Sequence, residues 1–224
     1  MKFKEIPNTS IQDILTAYFG EATENFLFVI VIGANNGEIQ DFLSGYLLNK
    51  NTKGILIEPI EYLFNQLKDR FKNNENLMFE NSAIYERNCR KNMYRVNKSA
   101  KLPDWITGIA SFNKKMIGMH QADIGDPAKA VVKENVNCIT FSQLLKKYKI
   151  DRINILQIDT EGYDYDIIFS INFKQIRPDI IIFEYLHLTY YQCFALINLL
   201  EENDYKVNRN KNSFDIIAID NQIL

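Results

Sequence analysis

Cysteine is scarce. Cys89, Cys138 and Cys193 are the only three, none at CxxC spacing, so neither a zinc motif nor a disulfide framework is indicated, and a reducing cytoplasm is the simple expectation. No apolar run approaches the ~20 residues that cross a bilayer; the longest spans Phe26–Ala34. Met1–Pro7 carries no apolar core of a secretory signal. Both features predict a cytoplasmic protein without membrane insertion. Charge of one sign is lacking too. Lys and Arg total 26 against 28 Asp and Glu, giving a net charge of −2. With no basic stripe, nucleic acid is not an expected partner. Only two histidines occur, and no cluster of ligand residues is specific enough to predict a metal site. Internal repeats, low-complexity tracts and Pro/Gly/Ser-rich linkers are also missing. The 224 residues therefore read as one domain, 1–224.

What is present is a core and a rhythm. Hydrophobic residues make up 46% of the chain, enough for a two-layered interior. Residues 1–25 read as an N-terminal helical extension, with Ser10 as a cap and Ile11, Ile14, Leu15 and Tyr18 on one face. Phe26–Ile32 is a continuous, β-branched apolar run, the signature of a strand buried on both faces. A Gly33–Gly37 break follows, then Ile39, Phe42, Leu43, Tyr46 and Leu47 at helical spacing. The unit recurs with strands at Gly54–Ile57, Leu77–Phe79, Ile153–Ile158, Ile180–Phe183 and Ile216–Ile219, and an extra one at Asn92–Val96. Helices follow Ile60, Thr140 and Tyr190. Alternation of this kind predicts an α/β, Rossmann-like fold: a mostly parallel central sheet with helices on both faces. Residues 98–135 lack a period and carry turn dipeptides, so they read as a lid or substrate loop.

In open α/β sheets ligands bind beyond the carboxyl ends of the strands, and the unusual residues fall there. Gly33, Ala34, Asn35 and Gly37 form a turn that lets a ligand approach the backbone. Glu58 ends the next strand, where an acid accepts hydrogen bonds from ribose hydroxyls. Ser82 and Ala83 follow the third strand. Asp159 and Glu161 end the fourth; Glu184 ends the fifth, with His187 just beyond. The cofactor-binding candidates are thus Gly33, Ala34, Asn35, Gly37, Glu58, Ser82, Ala83 and Asp159. Candidates for proton removal are Asp159, Glu161 and His187. Glu184, His120 and Trp105 are candidates for substrate contact, with Gly108 and Phe112 beside Trp105 in the irregular region. Each has a plain alternative: a tight turn, a solvated strand-end acid, a helix cap at Asp159, or a lone histidine satisfied in the core.

These segments carry a resemblance. Val29–Gly37 resembles the first motif of FkbM-type methyltransferases, which reads like VIDVGANxG. Ile57-Glu58-Pro59 resembles their second motif, and Ile155–Gly162 their LKIDVEG signature. Ile139–Leu145, Pro178–Glu184 and Asp215–Ile219 resemble the neighbouring stretches. Two positions depart: Val31 replaces the acid of the first motif, and Gln157 replaces the usual Lys. The resemblance implies a class I methyltransferase fold, S-adenosyl-L-methionine (SAM) as methyl donor, and a hydroxyl oxygen of a sugar, glycolipid precursor or secondary metabolite as acceptor.

Two other functions compete. An NAD-dependent oxidoreductase would show GxGxxG, but Asn35 stands at the middle glycine, and no Tyr-x-x-x-Lys pair follows. A binding protein that kept the fold and lost the reaction is motivated by Val31 and Gln157, and opposed by the retention of Glu58, Asp159 and Glu161.

Overall fold

A computed structural model describes residues 8–20, 27–38, 41–98, 102–211 and 213–223. Its main sheet is set by a run of apolar strands. β1 (Asn8–Thr9) and α1 (Ile11–Phe19) precede β2 (Leu27–Ile32), α2 (Asp41–Leu48), β3 (Thr52–Ile57), α3 (Glu61–Arg70) and β4 (Leu77–Glu80). After an excursion come α8 (Phe141–Tyr148), β9 (Ile155–Ile158), α9 (Asp164–Phe169), β10 (Ile180–Glu184), α10 (Tyr190–Glu202), β11 (Tyr205–Asn210) and β12 (Asp215–Asp220). The strand order is β1-β11-β12-β10-β9-β2-β3-β4. Only β12 runs against its neighbours β10 and β11. The chain steps outward from β2 through β3 to β4, then returns to place β9 on the other side of β2. That reversal is a topological switch point, and it puts the carboxyl ends of β2, β3 and β9 around one crevice.

Strand period explains the two layers. Ile30 and Ile32 face one side with Leu156, Ile158, Ile181 and Phe183, packed under α8, α9 and α10. Val29 and Val31 face the other with Ile155, Ile180 and Ile182, packed under α1, α2 and α3. Register sets Gln157 between Val31 and Ile182, a buried amide in an apolar row. The caps expected at Ser10 and Thr140 form: their hydroxyls accept from Asp13 N at 3.3 Å and Gln143 N at 3.0 Å. Phe26 and Ile39 lie outside the described residues, as do 1–7, 21–25 and 99–101.

The excursion between β4 and α8 departs from the sequence reading. It contains a second, four-stranded sheet in the order β5-β8-β6-β7: β5 (Ala83–Ile84), β6 (Cys89–Val96), β7 (Ala110–Ser111) and β8 (Val131–Ile139). The supposed loop 98–135 holds four short helices, α4 (Asp104–Thr107), α5 (Lys114–Gly118), α6 (Gln121–Ile124) and α7 (Pro127–Ala130), and ends inside β8. Ile106, Ile109, Ile117 and Ile124 bury a small core of their own there, against Val96. The segment is therefore a folded cover with one turn of helix at a time, too short to show a period.

Candidate active site

The strand ends converge on one cleft. Its walls are the glycine loop, Ile57–Pro59, Ser82–Ile84, and Asp159–Glu161; Trp105, Gly108 and Phe112 come from the cover. Gly33 adopts φ +84°, and a Cβ placed on it would stand 1.8 Å from the Asp159 carbonyl oxygen. No side chain fits where these two strand ends touch. Asn35 is also left-handed, at φ +51°. Its amide oxygen accepts from Asn36 N at 2.7 Å, and its amide nitrogen donates to the Gly108 carbonyl at 3.2 Å. The Asn35 side chain thus ties the glycine loop to the cover, and its backbone faces the cleft.

Glu58 is buried, not the solvated strand-end acid of the plain alternative. One carboxylate oxygen accepts from Asn35 N at 2.9 Å, the other from Ile60 N at 2.8 Å. Burial pushes its carboxyl up to about 7 despite these bonds, with Glu134 adding a like charge. Glu58 therefore shapes the loop as well as facing the cleft, and each oxygen keeps a second lone pair for a ligand. Ser82 is turned away: its hydroxyl donates to Glu80 at 3.0 Å. Glu80 is itself held by Lys147 and Tyr148, so Ser82 and Ala83 offer the cleft mainly backbone and a methyl group.

At the far end the acids crowd together. Asp159 lines the cleft, and burial with Glu184, Glu161 and Asp164 nearby raises its carboxyl well above the usual carboxylate range. Asp159 does not cap the next helix. That helix has no side-chain cap at its N-cap Tyr163; Asp164, its first residue, accepts from Thr160 N at 3.3 Å and Thr160 Oγ1 at 2.8 Å, and burial lifts it to about 6. Glu161 sits at φ +53°, which turns its carboxylate onto His187, with Oε2 2.9 Å from Nε2. The same imidazole nitrogen lies 3.7 Å from Glu184. The Glu161 hydrogen bond raises His187, while burial and Glu161 raise Glu184 to about 8. His120 packs its ring 6.0 Å from that of His187 and 6.0 Å from Trp105. Sequence reasoning placed His120 in the substrate region without pairing it to His187; Asp164 it missed, and only the Asp-four-after-Thr160 spacing could have signalled it.

Several buried polar atoms here have no hydrogen bond among the described residues: Gln157 Oε1, Asp164 Oδ1, Glu184 Oε2, His187 Nδ1 and His120 Nε2. Buried groups of this kind are rare in folded proteins, where water, an ion or a ligand usually completes them.

The family model for the FkbM methyltransferase domain matches residues 32–207. The chain belongs to the FkbM methyltransferase family. Among solved structures, an FkbM methyltransferase from Methylobacillus flagellatus KT superposes with a TM-score of 0.53 at 13% identity, covering 97% of this chain and 49% of that one. This chain thus spans about half the length of that relative. Precorrin-6y C5,15-methyltransferase from Geobacter metallireducens gives a TM-score of 0.47 at 10% identity, covering 98% of this chain and 96% of that one. SMU.1697c from Streptococcus mutans, in complex with SAH, gives 0.47 at 10% identity, covering 93% and 94%. No curated protein matches the chain. The FkbM domain has the class I methyltransferase fold, with a mostly parallel eight-stranded sheet and antiparallel β12. No helix among the described residues is long and apolar enough to cross a membrane.

Proposed function

We propose that this FkbM domain is a SAM-dependent O-methyltransferase acting in the cytoplasm on a hydroxyl of a sugar or related small molecule. The observation that carries this reading is the cleft itself, where the Gly33 turn, Glu58 and Asp159 meet at the switch point. These residues fit SAM. Asn35 and Ala34 line the loop against which the cofactor would rest, Glu58 has lone pairs for ribose hydroxyls, and the orphaned Gln157 Oε1 lines the same wall. When bound, SAM supplies a methyl group on a cationic sulfonium. Asp159, Glu161 and Glu184 make that end of the cleft acidic, which favours a cation.

Asp159 serves as proton acceptor for the hydroxyl, since a neutral hydroxyl is a weak nucleophile and needs a base in reach. Glu161 and His187 form a second, hydrogen-bonded acid–base pair beside it. Trp105 is 58% exposed on the cleft wall. Its flat apolar ring with one N–H donor suits the mixed surface of a sugar, with Glu184 and His120 next to His187 beside the cleft. Residues 98–135 act as a cover that excludes water: Ser111 donates to the Glu161 carbonyl at 2.9 Å, and Gly108 is held by Asn35. Titration calorimetry with S-adenosylhomocysteine (SAH) and with NADH tests the cofactor, and transfer of a labelled methyl group to sugar acceptors tests the reaction. Binding of NADH in place of SAH overturns the reading; SAH binding without transfer to any acceptor favours a binding protein.

A further inference from the structure

Three side chains from separate parts of the fold meet beside the cleft. His120 lies between α5 and α6, Glu161 follows β9, and His187 follows β10. One ring nitrogen of each histidine and one Glu161 carboxylate oxygen all lie within 4.8 Å of one another. We propose that His120, His187 and Glu161 bind a divalent first-row transition-metal cation of the Zn(II) type at the acceptor end of the cleft. The proposal deepens the methyltransferase reading: Glu161 also lines the cleft, so the ion's remaining positions would be available to an acceptor oxygen.

Three independent features support it. The first is unsatisfied polarity. The His187 side chain is 4% exposed, yet its Nδ1 has no partner, and neither does the buried Nε2 of His120 or the buried Oε2 of Glu184, apart from the latter's 3.7 Å approach to His187. His187 turns its other nitrogen, Nε2, toward Glu161 and Glu184, so the unsatisfied atoms beside the cluster are His120 Nε2 and Glu184 Oε2, buried polar groups of a kind that folded proteins rarely leave unpaired. The second is charge. Among the described residues no Lys or Arg pairs with Asp159, Glu161, Asp164 or Glu184; the one ion-pair partner in reach is His187. A bound divalent cation offsets what a single imidazole cannot. The third is donor chemistry and reach. Two imidazoles and a carboxylate suit Zn(II) or Fe(II), whereas Mg(II) and Ca(II) prefer all-oxygen shells. Ligands at about 2.1 Å from a tetrahedral ion stand about 3.4 Å apart, so the widest pair here needs to close by at most about 1.4 Å. Glu184 lies outside this trio, 3.7 Å from His187 Nε2.

The full chain, treated with chelator and gel-filtered, is titrated with Co(II), read by visible d–d absorption and by metal analysis after a second gel filtration. One Co(II) per chain, displaced by Zn(II) and not by a large excess of Mg(II), is the expected result. His120→Ala and His187→Ala should each weaken uptake by at least ~10-fold. Far-UV circular dichroism and SAH calorimetry on the same samples check the fold and the cofactor site; if His187→Ala does not fold, His120→Ala carries the test, because His120 lies on the cover and not in the main sheet. Substoichiometric uptake by the wild type, or unchanged uptake by a folded His120→Ala variant, overturns the proposal. SAH binding without metal uptake sinks the metal site alone. Metal uptake without SAH binding supports the site and sinks the cofactor reading.

Discussion

Glu58 couples the glycine loop to pH. In the folded protein its carboxyl rises from the ordinary 4.5 to about 7, because burial penalises the charge more than the Asn35 and Ile60 amides reward it. The folded state therefore holds a proton that the unfolded chain has released throughout the interval from 4.5 to 7. Stability attributable to this group is highest below 4.5, falls as pH rises through that interval, and is constant above 7. At about 1.4 kcal/mol per pH unit, the fall amounts to about 3 kcal/mol. Glu58→Gln removes the titration and keeps an oxygen for one of the two amides, while its NH2 group opposes the other at a cost of ~1–3 kcal/mol. The variant should thus be the less stable protein at pH 4.5 and regain most or all of that deficit by pH 8. Urea denaturation of both proteins at half-unit pH steps measures this, since other titrating groups cancel in the difference. A flat difference curve, or one in which the variant loses ground as pH rises, would refute the burial argument. Saturating SAH should reverse the trend in the wild type, because ribose hydroxyls donate to the ionised form.

Glu58→Ala should weaken SAH binding by ~1–3 kcal/mol in calorimetry and also lower the melting temperature, since it strands the Asn35 and Ile60 amides. Asp159→Asn should lower turnover ~10²–10⁴-fold while SAH affinity changes far less; loss of SAH binding instead would move Asp159 into the cofactor site. Gly33→Ala drives a methyl into the Asp159 carbonyl and should lower the melting temperature by roughly 10 °C, with an unchanged melting curve excluding the close contact. Proteolysis within 98–135 should slow when SAH and an acceptor are both present; equal rates would count against closure.

The main sheet was legible because its strands are apolar on both faces. Val29–Ile32, Ile155–Ile158 and Ile180–Phe183 leave no reading but a buried strand. β6 and β8 were not legible to the same degree. Arg90, Asn92, Lys133, Asn135 and Asn137 alternate with a thin apolar set, as in a sheet that faces water on one side, and the partners lie some 40 residues apart in sequence. β11 (Tyr-Lys-Val-Asn-Arg-Asn) hid for a different reason: Asn208 and Asn210 are polar residues buried inside the main sheet, where an apolar run would be expected. At the site, strand ends located Gly33, Glu58, Asp159, Glu161 and Glu184 in sequence terms, because position at a carboxyl end is a property of topology. Pairing is not. Nothing in the spacing of His120 and His187 announces that their rings stand 6.0 Å apart, and Ser82 bonding to Glu80 in place of the cleft depends on Lys147 and Tyr148 having claimed the other oxygen.

Charge also separates the competing cofactors. A dinucleotide brings a pyrophosphate to the glycine turn at the switch point, and folds that bind it surround that turn with amides or cations. Here the turn backs onto Asp159, and Asp159 shares its surroundings with Glu161, Asp164 and Glu184, with no Lys or Arg paired to any of them among the described residues. At 4 Å and an effective dielectric of about 20, each like-charge pair costs roughly 4 kcal/mol, so every carboxyl here that is ionised would repel a dianion. A sulfonium reverses the sign of every one of those terms. The raised Asp159 and Glu184 carboxyls are the free protein's response to the same crowding, and a cationic donor would draw their protons off. Binding of SAH, whose thioether is uncharged, should therefore depend less on pH above 7 than binding of sinefungin, a SAM analogue whose positive amine occupies the methyl position. Calorimetry of both ligands from pH 6.5 to 9 reads the contrast directly. Parallel profiles would mean that the acids do not face the donor, and the charge argument would fall.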